Sequence, residues 1–313
     1  MSVRFVGVVI CALALSMAMC APEGATAQQQ PSGDSASPPG PLVIDHTTTD
    51  ISRIPDSWLA QARQVEFHYA HTSHGGQITA GLAWLAQQDA RYAATVRDTL
   101  LPPPGTPADT LQLYDGNNYD GDSYITPEMY WASDDGRTHT ASVAATGVFS
   151  YSMWSWCGQQ SDNSVATVQE YLNAIDQFEA ANPGMRFILM TGHSDGASGA
   201  ESVLQRNNDL LRTHAAQDND ILFDFADIER YDPAGNYYAD ANDYCVWCDQ
   251  WCTDHPAECA SLPEGCFDNH HAHGLLCKLK AQAFWWMLAR LAGWDGGQPD
   301  LPEALYLPTV TRP

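Results

Sequence analysis

Four short apolar segments, each running into a polar loop, restrict the fold of this chain more than any other feature. "QVEFHYA" (64–70) alternates Val65, Phe67 and Tyr69, and "GVFSYSMWSW" (147–156) is aromatic and β-branched. "RFILMT" (186–191) and "ILFDFADI" (221–228) are compact apolar runs. All four read as strands that are buried or half-buried. Helical patterns follow the first three: "QITAGLAWLAQQD", "SVATVQEYLNAIDQFEAAN" and "ASGAESVLQRNNDLLRTHAAQ". A last helix, "LKAQAFWWMLARLAGW", has Gly293 placed to stop it. Strands alternating with helices predict an α/β fold, a mostly parallel sheet with helices on both faces.

In such a sheet, ligands bind outside the carboxyl ends of the strands. The loops at those ends here are "HTSHGG", "CGQQSD", "GHSDG" and "ERYDPAG". Ser73 stands in the first, at a strand–turn–helix junction. That geometry exposes a side chain beside backbone N–H groups able to hold an oxyanion. A nucleophilic serine also needs a base and an acid orienting that base; the bland alternative is a helix cap. "CFDNHHAHGLLC" offers His270, His271 and His273, with Asp268 three residues before His271. In the third loop, His193 could donate to an oxyanion or bind a metal, and Asp195 could orient a histidine. In the second, Gly158 and Gln159 are candidate oxyanion donors. His74 joins them as a candidate for substrate binding. His68, His71 and His74 recur every third residue, as metal ligands can, but side chains alternate along a strand, so His68 and His71 face opposite ways.

The chain has 313 residues, 14 Lys and Arg against 38 Asp and Glu, and a formal net charge of −24. Such a surface lacks the clustered cations that phosphate binding requires, which argues against nucleic acid and anionic membranes as partners. Residues 1–27 read as an export signal: Arg4, an apolar run too short to span a bilayer, and "ATAQ" as a cleavage site. Lipid modification at Cys20 is the weaker alternative, because Met19 stands where a small residue is wanted. Residues 28–41 form a flexible linker, 42–297 one globular domain, and 298–313 a proline-rich tail. No segment of the mature chain reads as a transmembrane span, so the expected location is secreted or periplasmic.

Of nine cysteines, Cys11 and Cys20 fall in the signal. Cys245, Cys248, Cys252, Cys259, Cys266 and Cys277 crowd together, and Cys157 stands apart. Export favours three disulfides and a disulfide-rich C-terminal loop region, with one cysteine left over. The alternative is a zinc site on "CVWCDQWC". Residues 101–146 read as a long excursion over the sheet end. Within them "DGNNYDGD" is a solvated turn or a calcium loop, though it lacks the ligand order of an EF-hand.

The layout resembles that of the SGNH, or GDSL-like, hydrolase superfamily. The phrases "MTGHSDG", "DFADIERYDPAGNYY" and "LKAQAFWWMLARLAGW" are similar to those of exported bacterial proteins close to it. The resemblance implies a three-layer αβα sandwich, Ser73 as nucleophile and Gly158 as oxyanion glycine. It implies an Asp-x-x-His pair in Asp268 and His271, or His273 as the base. The chain departs from the family in "HTSHG" for Gly-Asp-Ser-Leu and "TGHSDG" for Gly-x-Asn-Asp. Three functions follow. The first is an exported serine esterase acting on a small-molecule or polysaccharide ester without a cofactor. The second is a hydrolase using a divalent metal such as Zn or Ca, held by His71, His74 and His193. The third is a non-catalytic carbohydrate-binding protein whose aromatic side chains stack on sugars.

Overall fold

A computed structural model describes residues 41–98, 109–196, 201–264, 266 and 272–297. The expected signal, the linker except Pro41, the tail, and Asp268, His270 and His271 lie outside the described residues.

Seven strands form one all-parallel sheet: β1 (Leu42–Ile44), β2 (Glu66–His71), β3 (Ala94–Arg97), β4 (Leu111–Asp115), β5 (Tyr151–Ser155), β6 (Arg186–Met190) and β7 (Ile221–Phe223). Their order across the sheet is β1-β7-β6-β5-β2-β4-β3. From β2 the chain passes to the edge strand β3 and returns to insert β4 between β3 and β2. It then builds in the other direction through β5, β6 and β7. The order reverses between β2 and β5, and at such a switch point the two following loops diverge and leave a crevice.

Strand alternation sorts side chains into two cores. Phe67 and Tyr69 of β2, Met153 of β5, Ile188 and Met190 of β6, and Ile221 and Phe223 of β7 face one side. Ala70, Trp154, Phe187, Leu189 and Leu222 face the other. The first core is closed by the helices Gly76–Gln88 and Gly274–Leu291, which bring Ile78, Leu82, Phe284 and Trp285. These two helices pack so closely that a Cβ on Gly81 would sit 2.2 Å from the carbonyl oxygen of Cys277. The second core is closed by helices that include Val165–Ala181. Ser164 caps that helix by accepting the Thr167 N–H at 3.1 Å, and Val168, Tyr171, Leu172, Ile175 and Phe178 form its buried stripe. Each such side chain contributes about 2 kcal/mol on burial. Two cores on opposite faces of one sheet are the expected three layers.

Besides β1, β3 and the helix Asp56–Ala62, which the sequence reading does not contain, three details differ from it. The excursion at 101–146 contains an inner strand, β4, paired with both β2 and β3. It also contains the helices Pro127–Tyr130 and Asp134–Ala144. The apolar run at 221–228 is strand only to Phe223. Asp224 then accepts the Asp227 N–H and starts the helix Phe225–Arg230. A short apolar run does not reveal by itself whether the chain continues straight or coils.

The cysteines pair as Cys245–Cys248, Cys252–Cys259 and Cys266–Cys277. Cys157 keeps a free thiol. No helix among the described residues is long and apolar enough to cross a membrane. Both facts are compatible with a secreted or periplasmic protein.

Candidate active site

Before they diverge, the segments that follow β2 and β5 are tied to each other. Past β2, Thr72 donates through its N–H and its hydroxyl to the carbonyl of Ser155 at the end of β5, both at 3.2 Å. Ser73–Gly75 forms one turn of 3₁₀ helix leading into Gly76–Gln88. The turn needs glycine at 75, because a Cβ there would lie 2.2 Å from the Cβ of His71. It is also tied from below by the Tyr69 hydroxyl, which donates to Gly75 O at 2.9 Å. Ser73 and His74 are therefore held against the segment that follows β5.

That segment begins with Trp156 and Cys157. Cys157 N–H donates to Gln159 Oε1 at 2.6 Å, which holds the cysteine backbone in place. Cys157 Sγ lies 2.9 Å from Ser73 Oγ and 3.0 Å from His74 Nδ1. The other ring nitrogen of His74, Nε2, lies 3.1 Å from Asp243 Oδ2. Sulfur, imidazole and carboxylate thus form one connected line. It is the arrangement of a nucleophile, its base and the acid that orients the base.

The electrostatics agree. Burial opposes ionisation of Cys157, but the hydrogen bond and charge of His74, with the Ser73 hydroxyl and the Gly158 N–H, outweigh it. The thiol falls to about 7. Burial also opposes charge on His74, yet its bonds to Asp243 and Cys157 and the nearby Glu229 carboxylate raise it to about 9. Between those two values the pair stands as thiolate and imidazolium.

His193 comes from the loop after β6. Its ring stacks on that of His74, with centroids 3.9 Å apart and planes 6° from parallel. Burial, then the positive charge of His74, lowers its pKa and keeps it neutral. Its Nδ1 lies 3.1 Å from the Ser194 carbonyl oxygen and 3.2 Å from Asp195 Oδ1. Asp195 also accepts from the Ser161 hydroxyl. The loop is locked to the segment carrying Asp243: Asp243 N–H donates to Ser194 O at 3.1 Å, and Gly196 N–H to Ala241 O at 2.9 Å.

Beneath these loops lies a buried charge pair. Lys280 Nζ, on the Gly274–Leu291 helix, donates to Glu229 Oε1 at 2.6 Å and to Gln77. Both charged side chains are wholly inaccessible to solvent. Glu229 Oε2 accepts the Ser194 N–H at 2.6 Å. One buried carboxylate thus ties the last described helix to the His193 loop.

Of the candidates from sequence, Ser73, His74, Gly158, Gln159, His193 and Asp195 converge here. His273 does not join them in its described contacts. Its Nδ1 accepts the Leu275 N–H at 3.1 Å and caps the Gly274–Leu291 helix, while Nε2 lies 3.7 Å from Asp249. His71 pairs with Asp115 instead. Two groups of described residues have metal-ligand proximity, with ligand atoms within 4.8 Å of one another: Asp45, His46 and Asp227, and, in this site, His74, His193 and Asp243. An ion bound to imidazole lies in the ring plane on the nitrogen lone pair. Two parallel stacked rings share no such plane, and both nitrogens of His74 already have partners. The arrangement suits acid–base chemistry better than a shared ion.

Sequence reasoning missed Cys157 and Asp243. The first had a signal: an odd cysteine, alone, just past a strand end. The second had none, because its place depends on a loop-to-loop bridge between Asp195 and Asn242. No protein-family model matches the chain, and no curated protein matches it.

Proposed function

We propose that the protein is an exported acyl hydrolase in which Cys157 is the nucleophile, His74 its acid–base partner and Asp243 the residue that orients His74. The observation that carries this reading is the unbroken line from Cys157 Sγ through His74 to Asp243. The thiolate attacks the carbonyl carbon of an ester, and the carbon–oxygen bond breaks. The departing alkoxide takes the proton of His74, and water then hydrolyses the thioester. The Gly158 N–H, already directed at the sulfur, lies beside the developing oxyanion. Ser73 donates its hydroxyl to the thiolate. A net charge of −24 favours a neutral ester over a polyanionic substrate. The resemblance to SGNH hydrolases extends the proposal to acylated carbohydrates, on that analogy alone.

Hydrolysis of p-nitrophenyl acetate by the wild type, Cys157→Ala and Ser73→Ala tests the reading, with iodoacetamide and a fluorophosphonate as parallel probes. The expected result is loss of turnover in Cys157→Ala and protection of wild-type Cys157 from alkylation by substrate. Turnover that survives Cys157→Ala but is abolished by Ser73→Ala and by the fluorophosphonate would return the nucleophile to Ser73. Activity lost to a chelator and restored by zinc would favour the metal reading.

A further inference from the structure

His193 has a proton whose position the geometry fixes. Its Nδ1 faces two oxygens that can only accept, the Ser194 carbonyl and the Asp195 carboxylate, at 3.1 and 3.2 Å. Nδ1 therefore carries the hydrogen, and in the neutral ring Nε2 carries the lone pair. Among the described residues no hydrogen bond occupies Nε2. That nitrogen faces Gly158, the residue after Cys157: a Cβ placed on Gly158 would lie 4.0 Å from it. The site thus holds two His–Asp pairs with their rings stacked, His74–Asp243 on the sulfur and His193–Asp195 beside it.

We propose that His193 is a second catalytic base, which takes the proton of the water that hydrolyses the acylated Cys157. The inference rests on Cys157 being the nucleophile. In this step the water oxygen bonds to the acyl carbon and its proton passes to His193 Nε2. The carbon–sulfur bond then breaks, and the electron pair returns to sulfur as thiolate beside His74. The carboxylic acid departs, and His193 releases its proton to solvent. His74 is poorly suited to that task. After giving its proton to the alkoxide it takes another from solvent, because Asp243 and Glu229 favour its charged form, whereas His193 is held neutral by burial and by the charge of His74. Asp195 and the Ser194 carbonyl keep the Nδ1–H in place, so the lone pair stays on Nε2, the nitrogen near Gly158.

The test separates acylation from deacylation. His193→Asn keeps an N–H donor for Asp195 and removes the base. With p-nitrophenyl acetate in stopped flow, the variant should release about one equivalent of nitrophenol in a burst near the wild-type rate. Steady-state turnover should then fall about a hundredfold, and mass spectrometry should find acetyl on the peptide that contains Cys157. Unchanged alkylation of Cys157 by iodoacetamide confirms that the variant is folded; His193→Gln replaces it if His193→Asn is not. A folded variant in which burst and steady state fall together, or in which deacylation keeps the wild-type rate, overturns the inference. A wild-type enzyme that never acetylates Cys157 overturns the parent reading instead, and this one with it.

Discussion

Two histidines three residues apart make the same contact and do different work. His71 Nε2 lies 3.1 Å from Asp115 Oδ2, and His74 Nε2 lies 3.1 Å from Asp243 Oδ2. Both rings are buried, and in both the carboxylate favours the charged form over the opposing cost of burial. The difference is on the other nitrogen. His71 Nδ1 bonds to the carbonyl of Thr72 at 2.7 Å, a group with no chemistry to offer. His74 Nδ1 bonds to a thiol. A His–Asp pair is thus a structural brace or, on the proposed function, half of a catalytic device, according to its third member.

The comparison breaks most sharply at the sulfur. Cys157→Ala should lower ester turnover at least about a thousandfold while leaving the melting temperature nearly unchanged. Retained turnover in a steady-state assay would remove the chemical half of the contrast. Next comes the support that only the second pair has. Lys280→Met leaves Glu229 buried without its cation and should destabilise the fold by about 3–5 kcal/mol. The double variant with Glu229→Gln should recover part of that loss in urea titration, because no charge remains buried alone.

Exchanging the histidines is the direct comparison. His74→Ala should slow alkylation of Cys157 at pH 7 about tenfold or more, since the thiol loses the charge that lowers it. His71→Ala should leave that rate within about twofold, yet cost about 2–4 kcal/mol of stability through the stranded Asp115. Equal alkylation losses in the two variants would end the distinction. A smaller effect is in pH. Turnover should rise as pH passes about 7 and the thiol ionises, then decline above about 9 as His74 gives up its proton. His71 behaves otherwise. Its raised pKa means that its stabilising charge is fully present at mildly acid pH and lost as pH rises through the folded value. His71→Gln should therefore cost more stability at pH 6 than at alkaline pH, as thermal melts at both can measure.

The strands β2, β5, β6 and β7 were legible because each buries alternate side chains on two faces, which leaves an apolar run in sequence. β3 and β4 were not. They lie within or beside a stretch rich in Asp, Gly and Pro, and β4 is an inner strand only because β2 and β3 flank it. The site was half legible. Ser73, Gly158 and His193 stand at strand ends, where a parallel sheet collects its chemistry. Asp243 could not be read, because a carboxylate in the loop "YADANDYC" gains meaning only when the His193 loop is locked against it. Cys157 carried its signal in the cysteine count, yet its loop drew attention to the neighbouring glycine.

The distribution of the cysteines has a consequence for how the chain matures. The three bridges close loops with sequence separations of only 3, 7 and 11 residues. Cys157 is about 90 residues from Cys245, the nearest of the six bridged cysteines, and closing that longer loop costs about 2 kcal/mol more chain entropy than closing the longest native one. Oxidative folding is thus biased to use up the clustered thiols among themselves. The thiol proposed as the nucleophile is thereby left unspent under oxidising conditions through the spacing of the cysteines, without a dedicated reductant.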